Sequence, residues 1–149
     1  MGETVLAFDQ ATVTGWCFLS RSRKYQFGTL DFKRDTRGAV ISTALDELLG
    51  LVTLYDPDIL LYEHPFVSNL RSAVLQFTFV GLIELIAWRR NIKIEALHPS
   101  SIKKIATGSG RASKEEVLVA AQKQHSKIAN NNEADAYWLV RAYRGGGGT

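Results

Sequence analysis

A chain of 149 residues is long enough for one ordinary core and too short for two, so a single domain is expected over residues 1–144, with a flexible glycine-rich tail at 145–149. Its 46% hydrophobic and 22% charged residues are the mixture of a globular chain, and no apolar run reaches the roughly 18 residues needed to span a bilayer. The net charge of +3 is gathered in clusters able to follow a phosphate backbone: Arg21/Arg23/Lys24, Lys33/Arg34/Arg37, Arg89/Arg90/Lys93, Lys103/Lys104 and Arg111/Lys114.

The opening MGETVLAFDQ has no basic segment leading into an apolar one, so a cytoplasmic protein is expected. Thr4 to Phe8 reads as a short buried strand and Gly15 to Ser20 as a second, after a turn. The single cysteine, Cys17, lies inside this second strand, cannot form an intrachain disulfide and reads as core packing. Lys24 to Phe32 completes an antiparallel meander. From Asp35 to Tyr55 the apolar residues keep helical spacing, and Asp56-Pro57-Asp58 ends the helix. Ile59 to Tyr62 is a buried strand terminating at Glu63. Ser68 to Arg90 is apolar nearly all round and reads as a mostly buried helix that wants a partner subunit. Ile92 to Leu97 is a fifth strand, followed by a short helical turn, Ile102 to Ile105, and the loop TGSGR at 107–111. Ser113 with Glu116 forms a capping box for a helix reaching about His125, and a last helix runs from Asn131 to Arg144. This order predicts an α/β fold: a mixed five-stranded sheet, a three-strand antiparallel meander plus two parallel strands, covered by helices.

Three carboxylates stand where apolar residues are expected: Asp9 ending the first strand, Glu63 ending the fourth, and Asp135 in the last helix. Neighbouring strand ends can bring two together, and a helix packed across the sheet can add the third. Burying like charges so closely costs on the order of several kcal/mol unless a cation balances them. The natural occupants are one or two Mg2+ or Mn2+ ions, which prefer carboxylate and water oxygens, and the chemistry suggested is two-metal phosphodiester hydrolysis. Taken singly, Asp9 could serve a turn, Glu63 a rim and Asp135 a helix dipole; the three together point to a site.

The segments FDQATVTGW, LLYEHPF, GSGRASKEEV and NEADAYWLV, in this order, resemble the RuvC-type Holliday-junction resolvases of the ribonuclease H-like superfamily, in particular their short phage forms, over residues 4 to 143. The resemblance implies a ribonuclease H-like sheet and a homodimer that nicks opposing strands of a four-way DNA junction. It also implies two Mg2+ or Mn2+ ions per site held by Asp9, Glu63 and Asp135. Phe66 falls on the family's aromatic residue after the glutamate, implied to stack on bases at the opened crossover, and Lys114 on its phosphate-contacting lysine. Arg71, Lys104 and Arg111 are further DNA-contact candidates. If phage-encoded, the protein would work in the host cytoplasm.

One position departs from the family. A fourth acid three residues before the last one is here Asn132, on the same helix face as Asp135, while Glu133 points about 100° away. Either Asn132 or Glu133 completes the metal site, or the asparagine is an engineered substitution, or the chain is a junction binder that has lost activity. Actin- and Hsp70-type ATPases share the opening motif, but they need two lobes around ATP, and this length supplies one. His64, His98 and His125 lack metal spacing, and TGSGR lacks the phosphate-loop pattern, so neither zinc nor a nucleotide cofactor is expected. Phe77, Phe79, Trp88, Tyr137 and Trp138 read as core or dimer interface.

Overall fold

The unbroken apolar run of β1 (Val5–Asp9) has to be covered on both faces, and it is. The computed structural model describes residues 2–66 and 68–147 and places β1 at the centre of a five-stranded sheet of order β3-β2-β1-β4-β5. β2 (Val13–Leu19) and β3 (Tyr25–Asp31) run antiparallel beside it as the predicted meander. β4 (Ile59–Glu63) and β5 (Lys93–Leu97) run parallel on its other side.

Side chains alternate across this sheet and feed two cores. Leu6, Phe8, Phe18 and Leu60 meet α1 (Arg37–Tyr55) and α2 (Leu70–Arg90) on one face. Val5, Ala7, Cys17, Leu19, Ile59 and Leu61 meet α3 (Pro99–Thr107), α4 (Lys114–Gln124) and α5 (Asn131–Arg141) on the other. Cys17 is fully buried there, as expected. The ends of the helices follow from local chemistry. Thr36 and Asn69 cap α1 and α2, Asp56 and Asn91 close them in the left-handed conformation, and Ser113 and Glu116 make the predicted capping box.

Four expectations change. The short turn at 102–105 is a full helix, because Pro99 at its first position already has the helical φ. The last helix ends at Arg141 and continues as a π-helical segment, Ala142–Gly147, while 148–149 lie outside the described residues. On length and composition α1 and α2 could each cross a bilayer, contrary to the reading that no segment could; here both lie against the sheet. Finally, α2 is not mostly buried. Ala73, Phe79, Val80, Ile83, Ile86 and Ala87 face the sheet, while Leu70, Val74, Phe77, Leu85 and Trp88 form a second apolar stripe in the open, with Trp88 82% exposed.

Candidate active site

β1 and β4 are adjacent and parallel, so their carboxyl ends open together, where parallel strands leave room for a ligand. The alternation that sends Val5, Ala7, Ile59 and Leu61 toward α5 sends Asp9 and Glu63 the same way two residues later. There α5 supplies Asp135, and Asn131 and Asn132, four and three residues earlier, share its face. All five line one cleft of about 540 Å3. The predicted convergence of the three carboxylates is therefore met.

Two residues of the opening motif make this meeting possible. Gly15 pairs with Asp9 across β1 and β2, and a side chain on it would overlap the backbone of Asn132 and Glu133, so only glycine lets α5 lie this close to the sheet. Thr14, fully buried, donates its hydroxyl to the Ala11 carbonyl at 2.6 Å and accepts from the Ala11 amide at 3.1 Å, holding the turn after Asp9.

The carboxyls meet through Asp9. Burial, then the charges of Asp135 and Glu63, push its pKa well up, and a hydrogen bond to Glu63 adds to this. Burial raises Glu63, opposed by a hydrogen bond to Asp9 and by Lys103, Lys114 and His98. Asp135 is raised to about 6 by burial and by the Glu63 charge, against Lys114, Asp9 and Lys103. Among the described residues no three acidic, histidine or cysteine side chains stand around one point as a ready-made ligand set; the acids lean on one another instead. The donors nevertheless fit a hard divalent cation: three carboxylates, two asparagine amides and no sulfur or clustered imidazole. The Oδ1 of Asn131 is buried with no hydrogen-bond partner, an acceptor in want of a cation or a water.

A family model described as crossover junction endodeoxyribonuclease RuvC matches residues 13–139. The chain belongs to the RuvC family. It is similar to the crossover junction endodeoxyribonuclease RuvC of Pseudothermotoga lettingae, 30% identical over 118 residues that span 78% of this chain and 70% of that one. The RuvC of Chlamydia pneumoniae is 26% identical, with 94% of this chain and 91% of its own covered. A solved structure of Thermus thermophilus RuvC in complex with a Holliday junction substrate has a TM-score of 0.81 over 96% of this chain and 93% of that one, at 16% identity, a likeness of fold. The matched stretch begins after Asp9, so the place of Asp9 in this RuvC-family site rests on the geometry above.

The other residues read from the RuvC resemblance divide. Phe66, 76% exposed, and Lys114 line the cleft. Asn132 lines it too, on the face shared with Asp135. Glu133 does not. It is buried on the opposite side of α5, where its carboxylate accepts from the Thr29 hydroxyl at 2.8 Å and the Ala129 amide at 3.1 Å, tying α5 to β3. That corrects its candidacy as a metal ligand. Lys104 and Arg111 are exposed and do not line the cleft, and Arg71 lines a separate cavity with Arg34 and Arg37. A second lysine joins Lys114 beside the carboxylates, Lys103, whose place depends on α3 beginning at Pro99. Gln10, Ser72 and Gln76 also line the cleft without having been singled out. The one available signal was Gln10, a polar residue directly after a buried strand.

Proposed function

We propose that this RuvC-family chain is a metal-dependent, structure-selective endonuclease that binds four-way (Holliday) or other branched DNA junctions and nicks them symmetrically by phosphodiester hydrolysis. The convergence of Asp9, Glu63 and Asp135 at the ends of β1, β4 and in α5 carries this reading, and the junction-bound Thermus thermophilus relative supports it. Asp9, Glu63 and Asp135, with the amide oxygens of Asn132 and Asn131, would hold two Mg2+ or Mn2+ ions. Bound there, such ions balance the carboxylates, make water nucleophilic at neutral pH and stabilise the leaving oxygen. Lys103 and Lys114 face the scissile phosphate from α3 and α4. Phe66, free at the cleft edge, is placed to stack on a base where the crossover opens. Selection of the junction then comes from shape and ease of opening, and affinity from phosphate contacts that weaken with salt.

The working unit in this reading is a homodimer. Leu70, Val74, Phe77, Gly81, Leu85 and Trp88 follow one another at three- and four-residue steps along the open side of α2, and a groove of about 780 Å3 runs beside Trp88 and Leu85. Such a stripe matches a second copy of itself. The place of action follows from the substrate: the cytoplasm, that of a host if the chain is phage-encoded.

Asn132 favours a second reading, a junction-binding protein with a weakened site, since an amide brings no charge to the ions. Incubation with a synthetic four-way junction and a linear duplex, in Mg2+ and in Mn2+, beside Asp9→Asn, separates the two. Paired nicks in the junction that vanish in Asp9→Asn support the nuclease. Junction binding without nicks in either metal supports the binder.

A further inference from the structure

The backbone ladder between β1 and β4 stops at Phe8 opposite Tyr62, one step short of Glu63, whereas β4 stays paired with β5 as far as Glu63 opposite Leu97. The last bond of the β1–β4 ladder takes up the Glu63 amide, and the Glu63 carbonyl beyond it is met by a side chain. The Nε2 of Gln10 donates to the Glu63 carbonyl at 2.6 Å, and the Oε1 of Gln10 accepts from the Glu63 amide at 3.3 Å. Gln10 is 3% exposed, and its side chain lines the cleft that holds the carboxylates.

We infer that Gln10 is a positioning residue that acts through Glu63, its side-chain amide standing in for the strand residue that β1 lacks. A primary amide carries a neutral donor and a neutral acceptor side by side, as a backbone peptide does, and it adds no charge beside three carboxyls. Asparagine is a methylene shorter, glutamate would add a fourth negative charge, and an apolar residue would take the donor away from the Glu63 carbonyl. With Gln10 on one side and the Leu97 carbonyl accepting from the His64 amide at 2.8 Å on the other, the backbone at the end of β4 is held on both flanks. The Glu63 carboxylate is thereby kept beside Asp9, although β1 has already turned away.

The inference rests on the proposed nuclease reading for its effect on catalysis, but its structural content can be read separately. In the wild-type protein the Gln10 side-chain NH2, donated to the Glu63 carbonyl, is expected to resist hydrogen exchange, and Gln10→Met keeps length and volume without that bond. Gln10→Met should bind the junction in Ca2+ within about twofold of wild type, while kcat falls about tenfold or more and the half-saturating Mg2+ concentration rises, the range seen when groups that orient metal ligands are removed. Stabilisation of the melting temperature by Mn2+ should weaken in parallel, a readout independent of cleavage. Unchanged kcat and metal response in a folded Gln10→Met would overturn the inference, as would junction affinity falling as far as kcat. If Gln10→Met does not fold, the wild-type side chain decides: rapid exchange of the Gln10 NH2 refutes the clamp, and slow exchange upholds it. A wild type that never cuts junctions defeats the nuclease reading alone, leaving the exchange and Mn2+ melting results to judge Gln10.

Discussion

Gly15 sits opposite Asp9 in the β1–β2 ladder, and the space its side chain would fill is occupied by the backbone joining Asn132 to Glu133. One close approach therefore sets how near Asp135 comes to Asp9. Gly15→Ala would press a methyl group into a peptide carbonyl that cannot swing aside without moving α5. Overpacking of this kind costs about 1–3 kcal/mol, and a shift of roughly 1 Å in a reacting group can cost about a hundredfold in rate. Gly15→Ala should melt several degrees lower and lose most of its cleavage. Wild-type melting and cleavage in that variant would show that α5 has slack to give.

The mutual pressure of the carboxyls has a thermodynamic signature. Asp135 is held at about 6 against an ordinary 3.8, and Asp9 and Glu63 are raised as well, so the metal-free folded protein keeps protons that the unfolded chain has released. The stability this contributes is complete below the ordinary carboxylate values and is lost as pH rises through about 6. Without divalent ions the protein should melt lower near pH 7.5 than near pH 5.5, and Mg2+ should restore the loss, because an ion bound only to the folded state stabilises it. Asp9→Asn removes the buried carboxyl whose ionisation the other two charges oppose. It should raise the metal-free melting temperature near pH 7.5, flatten the pH dependence, blunt the Mg2+ effect and abolish cleavage. A metal-free Asp9→Asn that melts below wild type would contradict this account of the site.

Much of the layout was legible because it depends on local periodicity. The first seven strands and helices lie within two residues of their predicted ends, since buried strands read as apolar runs and helices as 3.6-residue patterns closed by Asp56 and Asn91. Asp9, Glu63 and Asp135 stood out because a charge at the end of an apolar strand contradicts its surroundings. Glu133 misled because neighbours in sequence point to different sides of a helix, and the side facing the cleft depends on packing. Sequence puts Lys103 beside Lys104, and only the register of α3, fixed by its start at Pro99, decides between them. Gln10 stayed hidden because its partner, the Glu63 backbone, is 53 residues away and has no sequence signature. The open stripe of α2 was hidden too, because a helix apolar on two opposite faces looks in sequence like one buried all round.

That stripe yields a prediction about assembly. Trp88 and Phe77 are 82% and 54% exposed on the face of α2 turned from the sheet. A charge there would not disturb the core but would sit, doubled by symmetry, at the centre of the proposed two-fold contact. Trp88→Glu should keep its fold and melting profile yet sediment as a monomer at concentrations where the proposed wild-type dimer forms. On a four-way junction it should produce single rather than paired nicks. An unchanged sedimentation coefficient would remove α2 from the interface.

Phe66 tests how the crossover is opened. Its ring is 76% exposed at the mouth of the cleft and packs into no core, so its removal should cost the fold nothing. Stacking on one base is worth about 1–3 kcal/mol, or roughly 5- to 150-fold. Phe66→Ala should lose cleavage on that scale for an intact junction and much less for one already unpaired at its centre, whereas Phe66→Trp should retain it. Equal losses on both substrates would mean that the ring does something other than hold an opened base.

The last test concerns the position where this chain departs from the RuvC pattern. Asn132 lines the cleft beside Asp135, and Glu133 is tied to Thr29 and Ala129, so no fourth carboxylate from α5 reaches the site. Asn132→Asp would bring one. Without metal the added charge must sit, half-buried, next to three other carboxyls, so the variant should melt below wild type near neutral pH, and the difference should shrink under acid as the carboxyls take up protons. With metal the same charge becomes a ligand. The Mg2+ or Mn2+ concentration for half-maximal cleavage should fall about tenfold or more, in line with a gain of at least 1.4 kcal/mol in ion binding. The two effects share one cause, an uncompensated charge that only a cation relieves. A variant that loses metal-free stability without gaining metal affinity would place residue 132 near the ions but not on them.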